Sequence, residues 1–151
     1  MRRDSRLSVA LHALVHMEEQ GGVVTSETLA PPMQLNPVVL RRTMAGLRDA
    51  GIVRAAKGHG GGWALGRPLA SVSLGEVYKA LGTPEPFRIG ARVDSPGCLV
   101  EQAVNRALAG ALARAEAVLV AELDGVAVGD IAADVRRKGW PGARKRRRKH
   151  A

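Results

Sequence analysis

Arg41 and Arg42 stand side by side a little before a glycine-rich run, Lys57-Gly58-His59-Gly60-Gly61-Gly62. A guanidinium group offers a planar fork of donors that pairs bidentately with phosphate or with the edge of a guanine. Glycine, having no Cβ, lets backbone N–H groups approach an anion closely. Such a run has two uses: a cradle for the phosphates of a nucleotide, or the tip of a thin loop. A nucleotide cradle requires a helix opening directly behind the glycines, whereas Trp63-Ala64-Leu65 follows here with the pattern of a strand. The thin loop is the better reading, and the chemistry is recognition of a polyanion.

Other chemistry-bearing residues are few. His12 and His16 are four apart on one predicted helix, a spacing that could hold zinc, but no third ligand or intervening glutamate accompanies them. They are read as surface or packing histidines, and no metal site is expected. Cys98 is the only cysteine, which excludes an intramolecular disulfide and any site built from several thiolates of one chain. It is read first as a small buried apolar residue, with a reactive thiol at a helix N-terminus as the alternative. With no paired carboxylates, Ser-His-Asp set or metal cluster in view, no catalytic residues are assigned and an enzyme is not expected.

The elements that must position Arg41, Arg42 and the glycine loop follow from local signals. Leu7, Leu11 and Leu14 fall on one stripe of a helix over residues 5–20, with Ala10 and Met17 beside it, and Gly21-Gly22 ends it. Thr25 or Ser26 caps a second helix, which Pro31-Pro32 should stop within about two turns. Asn36 as cap, Pro37 at the first helical position and Leu35 placed to pack on Leu40 start a third helix, closed by Gly51. At ~100° per residue, Leu40, Thr43, Met44, Leu47 and Ala50 share one side, and Val38, Arg41, Arg42, Ala45 and Asp49 share the other. One side packs and the other is free to read a ligand.

Ile52 to Ala56 and Trp63 to Gly66 read as two short strands joined by the glycine tip. Ser73-Leu74-Gly75-Glu76 is a capping-box pattern for a fourth helix, ended by Gly82 and expected to pack under the hairpin. Helix, strand, basic glycine tip and returning strand are the parts of a winged helix, in which one helix enters the major groove and the loop reaches neighbouring backbone or minor groove. The expected partner is therefore double-stranded DNA. After a loop, Cys98 to Leu123 gives the longest helical signal, with Val104, Leu108, Ala111, Ala115 and Val118 on an alanine-rich stripe that would let a second copy come close. A homodimer seam is expected there.

Charge is distributed unevenly. Of the 23 basic residues, nine lie from Arg136 onward with no acidic residue among them, so the formal net charge of +9 belongs to the tail. Residues 1–67 hold nine basic and five acidic residues, and residues 68–135 hold five and nine. A mildly positive reading half suits a phosphate-facing surface. The tail reads as disordered alone and as a source of non-specific phosphate contacts. No apolar run reaches the ~18 residues of a membrane span, so no membrane partner and a cytoplasmic location are expected.

Arg6-Leu7-Ser8-Val9-Ala10-Leu11, Asn36-Pro37-Val38-Val39-Leu40-Arg41-Arg42, Leu47-Arg48-Asp49-Ala50-Gly51-Ile52-Val53 and Gly60-Gly61-Gly62-Trp63-Ala64-Leu65 occur in an order that resembles the Rrf-two (Rrf2) family of bacterial winged-helix regulators. The resemblance covers residues 1 to about 135 and is closer to the cluster-free branch. It implies a dimer joined through the long helix, two reading heads on a pseudo-palindromic operator, and a repressor or activator controlled by a small-molecule or redox signal. It also implies that Pro37, Val38, Arg41 and Arg42 of the third helix bind DNA, with Val38, Arg41 and Arg42 facing bases. By the same resemblance Lys57, Gly58, His59 and Gly60 form the wing, and Arg6, Thr25 and Ser26 contact the DNA backbone. Cluster-binding members carry three cysteines before and at the start of the long helix; with Cys98 alone, a conventional iron–sulfur cluster and any other cofactor are not expected.

The sequence is thus read as a mainly α protein with a small β-hairpin. Residues 1–82 form a winged helix-turn-helix DNA-binding domain, 83–97 a connecting loop, 98–135 a dimerisation helix with a short C-terminal helix, and 136–151 a basic tail. Its expected activity is that of a sequence-specific transcriptional regulator, taken as a repressor; the alternative is a thiol-based redox sensor that uses Cys98 and releases DNA as its output.

Overall fold

The computed structural model describes residues 5–58, 61–84, 86–87 and 93–139. Among the described residues, six α-helices and one two-stranded antiparallel sheet follow in the order α1 (Arg6–Gln20), α2 (Ser26–Leu29), α3 (Pro37–Asp49), β1 (Val53–Ala56), β2 (Gly62–Leu65), α4 (Leu74–Ala80), α5 (Leu99–Asp124) and α6 (Val128–Lys138). The predicted signals account for most of the boundaries. Gly21, at a φ of 69°, ends α1, and the proline pair converts the end of α2 into a single 3-10 turn, Pro31–Met33. The Asn36 side chain accepts from the Val38 N–H at 2.8 Å, with Pro37 as the first helical residue of α3. Gly51, at a φ of 72°, closes that helix, its N–H donating to the Arg48 carbonyl and the following Ile52 N–H to the Leu47 carbonyl.

Ala10, Ala13, Leu14 and Met17 of α1 form the centre of the core with Leu29, Leu40, Met44, Leu47, Ile52, Leu69, Val72 and Val77. The expected inner face of α3 is buried at Leu40, Thr43, Met44 and Leu47, but Ala50 is exposed because it caps the helix beyond its last packed turn. Helix α4 packs on α1, α3 and α5 rather than under the hairpin. Gly46 makes the approach of α3 to α4 possible: a Cβ there would lie 2.6 Å from the Ala80 carbonyl oxygen.

The C-terminal part of the chain differs most from expectation. Helix α6 packs on α1 and on the 3-10 turn Leu69–Ser71 and puts Val128 and Ala132 into the core, so it completes the N-terminal unit instead of standing with α5. It also continues through Arg136, Arg137 and Lys138, which had been placed in the basic tail. Arg136 accounts for the continuation, bridging Glu18 and Glu19 of α1 at 2.9 Å each. The remaining tail residues, 140–151, lie outside the described residues.

At the N-terminus of α4 the capping box is complete, with the Ser73 hydroxyl accepting from the Glu76 N–H and the Glu76 carboxylate accepting from the Ser73 N–H. Arg67 donates to the same carboxylate at 2.5 Å. The Ser73 backbone bond and then the Arg67 guanidinium hold the Glu76 carboxyl below its ordinary range. A carboxyl whose pKa is depressed by folding stabilises the fold fully above its unfolded value, ~4.3, and loses that contribution as the pH falls through the lower folded value. Urea denaturation at pH 6 and pH 3 should therefore show a smaller acid-induced loss of stability in Glu76→Gln than in the wild type; an equal loss would contradict this account.

Candidate nucleic-acid interface

Helix α3 presents an uncovered strip. Leu40, Thr43, Met44 and Leu47 hold it to the core, and Val38 and Val39, each half exposed, stand outward with exposed Arg41 and Arg42 on its first turns. This combination suits a major groove, where arginine pairs with guanine and an apolar side chain packs on the thymine methyl group. Val39, which the face pattern of the helix does not single out, is as exposed as its neighbour Val38. The two arginines differ in setting. Arg41 is paired with Glu27 of α2, whereas Arg42 has no ion pair among the described residues. Glu27 thus ties the first helix of the helix-turn-helix to a residue expected to read bases. Arg42 also lines a cleft of about 360 Å³ with Arg6, Val39, Thr43, Gly46, Ala80 and Leu81.

The hairpin is fixed to the same unit at its base. Val53 pairs with Leu65 and Ala56 with Gly62. Beyond the hairpin, Trp63 exchanges both backbone bonds with Val24, at 2.8 Å each, which joins β2 to the segment before α2. Gly62 allows this approach, since a Cβ there would come within 2.5 Å of the Val24 carbonyl oxygen and 3.1 Å of the Thr25 Cα. The Trp63 indole N–H donates to the Ser26 hydroxyl at 2.9 Å. Lys57 and Gly58, the latter at a φ of 104°, extend from this base and are exposed; His59 and Gly60, the rest of the expected wing tip, lie outside the described residues.

The expected backbone-contacting residues divide. Thr25 caps α2, its hydroxyl accepting from the Thr28 N–H at 3.2 Å. Ser26 is buried and its hydroxyl is engaged by Trp63, so the side chain is not presented to a phosphate; its job is to anchor the wing. The signal for this was the tryptophan itself, since an indole N–H drawn into a fold needs an acceptor. Arg6 is exposed at the start of α1, with Nη1 donating to the Leu81 carbonyl at 3.3 Å.

Cys98 corrects another expectation. It is exposed, not buried, and is the N-cap of α5. No residue of that helix is buried within the chain: Val104, Ala111, Ala115 and Val118 are exposed and Leu108 is half-buried. The base of α5 is nonetheless held to α4, Asp124 receiving Lys79 at 3.0 Å and Ser73 at 3.4 Å.

An uncovered helix strip of valines and arginines beside a bolted-on hairpin is the architecture of a DNA reader, and the comparison with known proteins agrees. The Rrf2 family, described as "Iron-dependent Transcriptional regulator", matches residues 3–134. The chain belongs to the Rrf2 family. It is a DNA-binding transcriptional regulator of winged-helix fold. YwnA of Bacillus subtilis, whose name places it among transcriptional regulators of the helix-turn-helix type, is 35% identical over 107 residues, which cover 70% of this chain and 77% of YwnA. A crystal structure from Lactobacillus plantarum, named for a transcriptional regulator, superposes with a TM-score of 0.75 at 22% identity over 97% of this chain and 98% of that one. Another, of a protein named as DNA-binding, has a TM-score of 0.64 at 29% identity over 84% of this chain and 98% of its own length. The relatives are named as regulators, not as enzymes.

The iron in the family description can be tested against the donors present. Thiolate-held iron–sulfur clusters use about four protein ligands, mostly cysteine. This Rrf2-family chain has one cysteine, and the described residues contain no group of three or more His, Cys, Asp or Glu side chains placed to hold a metal. One thiolate per chain falls short of the cysteine-rich donor set such clusters use. No helix among the described residues is long and apolar enough to cross a membrane.

The Trp63–Ser26 bond can be measured as a coupling. Trp63→Phe removes the donor and leaves a buried hydroxyl without its partner, which should cost ~1–3 kcal/mol in chemical denaturation. Adding Ser26→Ala should then cost less than it does in the wild type, because the orphaned group is gone; strictly additive losses would show that the bond carries no energy.

Proposed function

We propose that this Rrf2-family regulator acts as a homodimer on a pseudo-palindromic operator, as a repressor, and without an iron–sulfur cluster. The observation that carries the reading is the uncovered strip of α3, Val38, Val39, Arg41 and Arg42, alongside the exposed base of the wing at Lys57 and Gly58. Arg41 and Arg42 are assigned to base edges, Val38 to a thymine methyl group, and Lys57, Arg6 and Thr25 to phosphates. Repression follows where the operator overlaps a promoter, since a bound dimer then occupies the face that polymerase needs.

Dimerisation is argued from α5. A helix of 26 residues is about 39 Å long, and an isolated helix with no buried face gains little from packing. Val100, Val104 and Val118 are 71%, 49% and 63% exposed within one chain, a cost in water that a second copy would remove. Two heads related by a two-fold axis then read half-sites separated by about one helical turn of DNA or a multiple, ~10–10.5 base pairs each.

Genomic footprinting supplies the operator, and binding to it tests the assignments. Arg41→Ala and Arg42→Ala should each weaken operator binding by ~1–3 kcal/mol and relax base preference at one position per half-site, whereas Lys57→Ala should weaken all duplexes alike and lower the salt slope by about 1. Unchanged discrimination between operator and scrambled duplex in both arginine variants would refute the base assignment. Sedimentation should give a dimer for the wild type and a folded monomer for Val104→Glu/Val118→Glu, with operator affinity lost at concentrations where the wild type is saturated. A dimeric double variant would remove α5 as the seam.

A further inference from the structure

His12 and His16 stand one turn apart on α1 with their Nε2 atoms 3.0 Å apart, ring centroids 4.8 Å apart and planes inclined by 29°. In the metal-free pair one Nε2 carries the hydrogen and the other accepts it.

The same separation describes a chelate. With metal–nitrogen bonds of ~2.0–2.1 Å, nitrogens this far apart subtend ~91–97° at a shared ion, closer to the right angle of a square-planar or octahedral centre than to the wider tetrahedral angle that zinc takes. The helix fixes both ligands on one face before any ion arrives, so little ordering is needed on binding. The spacing in the sequence argued against zinc for want of further ligands. That objection stands for a closed four-ligand site, but it does not bear on an ion that keeps water in its remaining positions.

We propose that His12 and His16 form a two-imidazole site for a late first-row divalent cation, copper(II) or nickel(II). On binding, each ring presents its Nε2 lone pair and carries its hydrogen on Nδ1, so the bridging hydrogen moves within its own ring and is not lost. Copper binds more tightly than nickel, following the general order of divalent affinities.

The test uses the full chain in a Cys98→Ser background, which removes the thiol as a competing ligand. Calorimetric titration with copper(II) and with nickel(II) should show that His12→Asn and His16→Asn each lose one ion per chain relative to that background. Electron paramagnetic resonance of the copper form should show coupling to two nitrogens that falls to one or none in either variant. Nickel should raise the melting temperature of the parent and leave both variants unmoved. His12 is exposed, so His12→Asn keeps the test valid should His16→Asn fail to fold. Unaltered ion stoichiometry and affinity in His12→Asn would overturn the proposal.

Discussion

The reading surface depends on the close docking of the wing against the segment that opens α2. Two backbone bonds between Trp63 and Val24, the indole bond to Ser26 and the absence of a side chain at Gly62 bring β2 onto the helix-turn-helix. Without that junction, β1 and β2 would be an isolated two-stranded hairpin, which is marginally stable in water. With it, Lys57 and the arginines of α3 belong to one packed unit, and under the proposed assignments phosphate contacts made by the hairpin would fix the register in which the helix meets bases.

The electrostatics of this body are more restrained than the net charge of +9 suggests. Several cations of the described chain serve internal contacts: Arg136 fastens α6 to α1, Arg67 supports the capping box of α4, and Lys79 holds the base of α5. Arg41 itself is shared with Glu27. The Glu27 carboxylate lowers the positive charge beside Arg41, but the pair is exposed on both sides and is worth little in water. Under the proposed assignment of Arg41 to a base edge, the guanidinium would exchange that carboxylate for the edge of a guanine, which offers two acceptors in a fixed geometry.

The parts of the fold legible in the sequence were those specified by neighbouring residues. Asn36, Pro37 and Gly51 announce the ends of α3 through capping chemistry within one turn, and Ser73 with Glu76 does the same for α4. The parts that were not legible depend on residues far apart. Helix α6 offers only Val128 and Ala132 as fully buried positions, too sparse a pattern to reveal that it packs on α1, more than a hundred residues earlier. Ser26 has the residue type and position of a phosphate contact, and only its meeting with Trp63, 37 residues later, turns it inward. Cys98 was read as buried because cysteine usually is, but it caps a helix that has no buried residue in the single chain. The candidate base-reading residues were legible because their own helix states which side packs.

That packing of α6 changes how the two halves of the molecule are coupled. The chain leaves the head at the end of α4 and, after α5, re-enters it through α6. At the point of return, the Leu74 N–H donates to the Val126 carbonyl at 2.9 Å and the Val128 N–H to the Val72 carbonyl at 2.8 Å, while Asp124 is held by Ser73 and Lys79. The C-terminal end of α5 is therefore clamped on both sides by the head, and its N-terminal end, with Leu99 and Val100 exposed, is not clamped in this way. A rotation of α5 about its base would have to carry α4 with it, and α4 lies directly against α3 through the close contact at Gly46. Helix α4 thus touches both α5 and α3, so one short run of packed elements lies between the exposed long helix and the outer face of α3.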